Sequence, residues 1–182
     1  MRKVTLFIAM SLDGHIADAD GRVDWLQGET PGEDDMVSYQ AFIKDVDTVL
    51  MGWNTYHQVT TELSPGVWPY AELTSYVLTH RTLPSADGIR FVSEDVCALV
   101  RRLKPEPGKG IWVCGGPNII QPLLREDLID RFHISVIPTI LGSGARLFGE
   151  LERARPLRLM KTEHYNGIVD LVYERREGQH GA

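Results

Sequence analysis

The chain has 182 residues, 43% hydrophobic and 24% charged, proportions that suit one globular domain with a full core. Its net charge of −6 is uneven: ten acids against Arg22 and Lys44 between Ser11 and Asp47 put −8 there and +2 elsewhere. The absence of a clustered basic face argues against a nucleic-acid partner, and no apolar run approaches the roughly 18 residues of a membrane-spanning helix.

Val4 to Met10 is apolar except for Thr5 and predicts a strand buried on both sides. The loop S-L-D-G-H-I-A-D-A-D-G-R-V-D-W-L follows, long enough to be a lid, with Trp25 and Leu26 expected to anchor its far end. Asp34 or Asp35 can cap a helix carrying Met36, Tyr39, Phe42 and Ile43 on one face and ending near Val46. Asp47 to Met51 is the second strand, running at once into Gly52-Trp53-Asn54-Thr55-Tyr56 and a further helix. Strands at Ser75 to Thr79 and Ile89 to Val92 come next. Ser93 then caps a helix with Val96, Leu99, Val100 and Leu103 at spacings of three and four.

The stretch G-I-W-V-C-G-G-P-N-I-I, Gly110 to Ile120, joins a buried strand through Gly115 and Gly116 to a helix opening at Pro117. Pro122 should bend or delay that helix. Arg131 to Ile137 is a strand, and Leu157 to Glu163 and Ile168 to Glu174 flank the hairpin signal Asn166-Gly167. Residues 1–177 read as one domain and 178–182 as a frayed tail. The alternation predicts an α/β fold: one mixed, mostly parallel sheet, helices on both faces and a C-terminal antiparallel hairpin. In such a sheet the turns at Gly52 and Gly115 fall on one rim, where backbone N–H groups and helix N-termini receive phosphates. The alternative is two glycine turns that only join strand to helix.

Neither G-x-x-x-x-G-K-[ST] nor a G-x-G-x-x-G after the first strand occurs, which argues against ATP use and a Rossmann dehydrogenase. Instead M-S-L-D-G-H-I-A, M-G-W-N-T-Y, V-L-T-H-R, V-C-G-G-P-N-I-I and I-P-T-I-L-G-S-G-A-R-L-F follow in order along nearly the whole chain. This arrangement resembles the dihydrofolate reductase-like superfamily, and within it the reductase domain of the riboflavin-biosynthesis deaminase–reductase and its standalone relatives. No H-x-E followed by P-C-x-x-C is present in these residues, so a deaminase half is not expected among them.

The resemblance implies an NADPH-dependent reductase of a small heterocyclic or carbonyl/imine substrate. Gly52, Trp53, Asn54 and Thr55 would hold part of the dinucleotide phosphates, and Gly115, Gly116, Pro117, Asn118 and Ile119 the pyrophosphate. Ala9 and Ile16 would touch the nicotinamide end. Trp53 stands where the family often carries an arginine for the 2′-phosphate; Arg81, beside Thr79 and His80, can replace that charge.

Asp13 and Asp35 are the candidate catalytic acids, although Asp13 could instead cap a turn and Asp35 a helix. Ser11, Trp25, Tyr39 and Arg146 are the candidate substrate contacts, Trp25 and Tyr39 as an aromatic wall. The −8 segment at the expected mouth points to a substrate less anionic than the phosphorylated riboflavin precursor. His57, His133 and His164 receive no role, and no metal site is expected. Cysteine usage suits a reduced cytoplasmic protein, and the resemblance implies a homodimer. A non-catalytic dinucleotide-binding module, or an interaction protein of the same fold, is the alternative.

Overall fold

The computed structural model describes residues 1–33 and 36–176. The frayed tail expected at 178–182, and the helix cap expected at Asp34 or Asp35, lie outside the described residues.

The described residues form ten strands: β1 Val4–Ser11, β2 His15–Ala17, β3 Val46–Gly52, β4 Thr74–Leu78, β5 Ile89–Val92, β6 Gly110–Gly115, β7 Arg131–Ile137, β8 Ala145–Arg146, β9 Leu157–Tyr165 and β10 Ile168–Arg175. The helices are α1 Val37–Phe42, α2 Trp53–Gln58, α3 Val96–Leu103 and α4 Pro117–Arg125. Eight strands form one sheet in the order β5-β4-β3-β6-β1-β7-β10-β9. The pairings among β1, β3, β4, β5, β6 and β7 are all parallel, and β10 closes the sheet antiparallel to both β7 and β9. The architecture is the one the sequence predicts, with one addition: β2 and β8 form a small antiparallel ribbon inside what reads as loop.

Alternation of apolar side chains about the central strands builds a core on each face. On one face Leu6, Leu50 and Ile111 pack with Leu99 and Leu103 of α3 and Ile120 and Leu123 of α4. These seven side chains are fully buried, each contributing about 2 kcal/mol by leaving water. On the other face Val49, Met51, Val77 and Trp112 pack with Tyr39 and Phe42 of α1 and Trp53 and Tyr56 of α2.

Local differences from the sequence reading have local causes. Asp95, not Ser93, caps α3, accepting from the Ala98 N–H at 2.9 Å. Pro122 does not delay α4, which opens at Pro117. α1 ends at Phe42 and passes through a 3₁₀ turn over Ile43–Asp45, short of the expected Val46. α2 widens into a π-helical turn over Val59–Leu63, closed by Ser64 N–H to Val59 O at 2.8 Å.

The two rims of the sheet are finished differently. At the N-terminal rim, buried Arg2 pairs with Asp47 and also donates to Thr48 Oγ1 at 2.6 Å and Lys109 O at 2.7 Å, tying β1, β3 and β6 together. Asp130 there accepts from Val4 N at 2.8 Å, Lys104 Nζ at 2.7 Å and Arg175 Nη2 at 2.9 Å. The opposite rim carries the glycine turns.

Candidate functional site

β3 and β6 are parallel neighbours, with Met51 opposite Gly115, so Gly52 and Gly115 leave the sheet side by side on its C-terminal rim. Gly115 has φ +148°, a conformation that side chains rarely adopt, and a Cβ there would lie 3.5 Å from Ile8 Cδ1. Thr55, in the first turn of α2, reaches across: the Gly116 N–H donates to its Oγ1 at 3.4 Å, leaving the hydroxyl hydrogen to point elsewhere. Pro117 has no N–H, and the Ile119 N–H donates to Gly116 O at 3.0 Å. Ile119 is therefore spent inside the turn, contrary to the sequence expectation, and the Asn118 N–H is the amide left at the opening of α4.

Two connected grooves run along this rim. The first, about 800 Å³, is lined by Gly52, Trp53, Asn54, Thr55, Thr79, His80, Arg81, Gly116, Pro117, Asn118 and Ile119, among others. The second, about 660 Å³, shares Trp53, Asn54, Thr55, Arg81, Gly116 and Pro117 with it and continues over Ile8, Ala9, Ile16, Cys114 and Gly115. All fourteen residues expected at the cofactor line one groove or the other. Arg81 stands at the junction, its guanidinium 4.8 Å from the centre of the Trp53 ring, a cation–π contact that fixes both side chains. Trp53 also packs on Tyr56 and His57.

The RibD C-terminal domain model matches residues 2–173. The chain belongs to the RibD C-terminal domain family. It is 44% identical to the uncharacterized protein YwjB of Bacillus subtilis (strain 168), over 96% of this chain and 98% of that one. Among solved structures it is similar to a putative riboflavin biosynthesis protein of Shewanella sp. PV-4, with TM-score 0.80, 33% identity, and 97% and 100% of the two chains covered. The Thermotoga maritima diaminohydroxyphosphoribosylaminopyrimidine deaminase/5-amino-6-(5-phosphoribosylamino)uracil reductase shares the fold at TM-score 0.69 and 16% identity. There the match covers 96% of this chain but 57% of that one.

Within this RibD C-terminal domain, none of the described residues expected to act on the substrate lines either groove. Asp13 holds a loop: Oδ1 accepts from Ser11 Oγ at 2.6 Å and Leu141 N at 3.1 Å, Oδ2 from Gly142 N at 2.7 Å, and His15 Nδ1 lies 3.3 Å away. The Ser11 hydroxyl first, then the two amides, hold its carboxyl far below the usual carboxylate range, which suits an anchor and not a proton donor. Ser11 is fully buried, its hydrogen donated to Asp13 and its oxygen accepting from His15 N at 2.9 Å, so it is shut off from a substrate and has no proton to offer one. Asp35 lies outside the described residues.

The expected aromatic wall is not formed either. Trp25 lies outside both groove linings, and its indole donates to Arg22 O at 3.2 Å. Tyr39 packs on Phe7 and Trp112, away from the grooves. Arg146 is exposed on β8, and it is its neighbour Ala145 that lines the second groove. The lid's far end is clasped by the hairpin turn instead of by Trp25 and Leu26. Asn166 Oδ1 accepts from Thr30 N at 2.8 Å while its Nδ2 donates to Thr30 O at 3.0 Å. None of the described acids between Ser11 and Asp47 lines a groove; the lid contributes Ile16, Ala17, Gly21, Val23 and Leu26.

The second groove also contains residues the sequence reading passed over: His57, Gln58, Glu62, Tyr70 and Cys114. Asn54, Gln58 and Glu62 recur every four residues directly after a glycine turn, a polar helical stripe that could have flagged them. Cys114 sits where the β3–β6 register slips, a bulge that sets it on the groove floor. Burial pushes its thiol up to about 12, and burial likewise raises Tyr70 beside it.

Proposed function

We propose that the chain is an NADPH-dependent reductase that delivers a hydride to a small heterocyclic or carbonyl/imine substrate. The observation that carries this reading is the pair of glycine turns on adjacent parallel strands, bridged by Thr55, at the rim where open α/β sheets take their ligands. A Cβ at Gly116 would stand 3.7 Å from Thr55 Oγ1 and one at Gly115 3.5 Å from Ile8 Cδ1, so the bare glycines keep the rim open beside Asn118 N–H and Thr55 Oγ1–H, donors suited to a pyrophosphate. Arg81, the one Arg or Lys among the described residues of the groove linings, is the partner for a 2′-phosphate, which favours NADPH over NADH.

When bound, the nicotinamide supplies the hydride. The chain's own task is position and dryness: Ala9 and Ile16 would hold the nicotinamide end, while Ile8, Val23 and Leu26 of the same lining would exclude water around it. Tyr70 and Cys114, raised by burial, keep their protons near neutrality and act as hydrogen-bond donors at the floor. The reading includes a cytoplasmic homodimer. Its support is the outer hairpin, where Leu159, Met160 and Val169 are 52%, 49% and 40% exposed.

Titrating the protein with NADPH and NADH under tryptophan fluorescence tests the cofactor, since Trp53 lines both grooves. The expected result is quenching that saturates at lower NADPH than NADH, followed by NADPH consumption with a heterocyclic acceptor. Saturable binding without consumption across pterins, pyrimidines and small carbonyls would leave a binding module; no response to either nucleotide would overturn the reading.

A further inference from the structure

Beyond the cofactor, the second groove has a chemistry of its own. Its walls are largely apolar, from Ile8, Ile16, Val23, Leu26, Val59 and Leu63. Its one Arg or Lys among the described residues, Arg81, stands at the end shared with the first groove and lies over Trp53. Arg22, the lid cation, is absent from the lining and pairs with Asp20 and Asp18. The same lining carries Glu62, which is absent from the lining of the first groove. A phosphate monoester beside it would meet a like-charged carboxylate, and Glu62, although exposed, has no Arg or Lys of the groove lining other than Arg81 to offset it.

Glu62 is also held. It falls in the π-helical turn over Val59–Leu63, and such turns recur at functional sites. Gln58 Nε2 donates to Glu62 Oε2 at 3.4 Å and to Gly21 O of the lid at 3.2 Å, so one side chain orients the carboxylate and ties the lid across the groove. An ionised carboxylate only accepts hydrogen bonds, and its second oxygen is open to adjacent N–H donors on a flat ring edge.

Resting on the reductase reading above, we propose that this groove selects a flat, unphosphorylated heterocycle presenting N–H donors, and that Glu62 is its specificity-determining residue. The donor edge meets Glu62, the ring lies between the lid's Val23 and Leu26 and the floor, and the phosphorylated sugar of a riboflavin-type precursor is rejected.

The test uses the full chain saturated with NADP⁺. Calorimetry compares an aminopyrimidine riboside with its 5′-phosphate, on the wild type and on Glu62→Gln, with NADPH affinity measured in parallel. The expected result is about tenfold tighter binding of the unphosphorylated compound. Glu62→Gln, an exposed substitution of the same shape, should weaken that binding about tenfold and shrink the preference while leaving NADPH affinity unchanged. NADPH binding together with equal or tighter binding of the phosphate, or a preference untouched in Glu62→Gln, overturns this proposal alone. Failure of the wild type to bind NADPH overturns the reductase reading and this proposal with it.

Discussion

Gly115 holds φ +148° at the end of β6, so replacing it tests both backbone strain and the cradle. Gly115→Ala should cost about 1–3 kcal/mol in urea unfolding and weaken NADPH binding about tenfold; equal affinity would show that the turn serves only the fold. Asp13 makes the opposite point. The sequence places an acid beyond the first strand, but the 141–142 amides that consume it arrive from over a hundred residues away, beyond the reach of any local pattern. Its folded pKa is depressed, so its stabilisation is present above the unfolded value of about 3.9 and is lost as pH falls toward the folded one. Asp13→Asn should therefore lower Tm at neutral pH and flatten the fall of Tm below about pH 4; retained substrate turnover would agree with an anchoring role.

Among the elements, the lid and the hairpin turn act as a pair. Asn166 and Gly167, at φ 45° and 75°, form the two-residue turn that their identities predict. The same Asn166 amide clasps Thr30, a contact invisible in the sequence because nothing in Asn-Gly says what its side chain will meet. Asn166→Gly keeps the turn and the Glu29 N–H bond to its carbonyl at 2.9 Å, and removes the side-chain clasp on Thr30. Limited proteolysis should then cut the 20–33 segment several-fold faster with little change in Tm; unchanged cleavage would place the lid's restraint elsewhere. The ribbon of β2 and β8 escaped the sequence reading for a related reason, since strands of three and two residues are too short for any periodicity.

At the scale of the molecule, the parallel order was legible because strand and helix alternate and each parallel crossover has one preferred hand. The division of labour between the rims was only half legible. Glycine turns announced the C-terminal rim, whereas the staples of Arg2 with Asp47 and of Asp130 with Lys104 and Arg175 join residues 26 to 45 positions apart. With one rim closed by charge, the proposed function puts the charged cofactor at the other. The most direct measurement is a crystal structure of the NADPH complex. The account predicts the pyrophosphate between the two glycine turns, within hydrogen-bond distance of Thr55 Oγ1 and Asn118 N, with the nicotinamide beside Ala9 and Ile16. A cofactor bound at the stapled rim, or with its phosphates clear of Gly52 and Gly115, would contradict it.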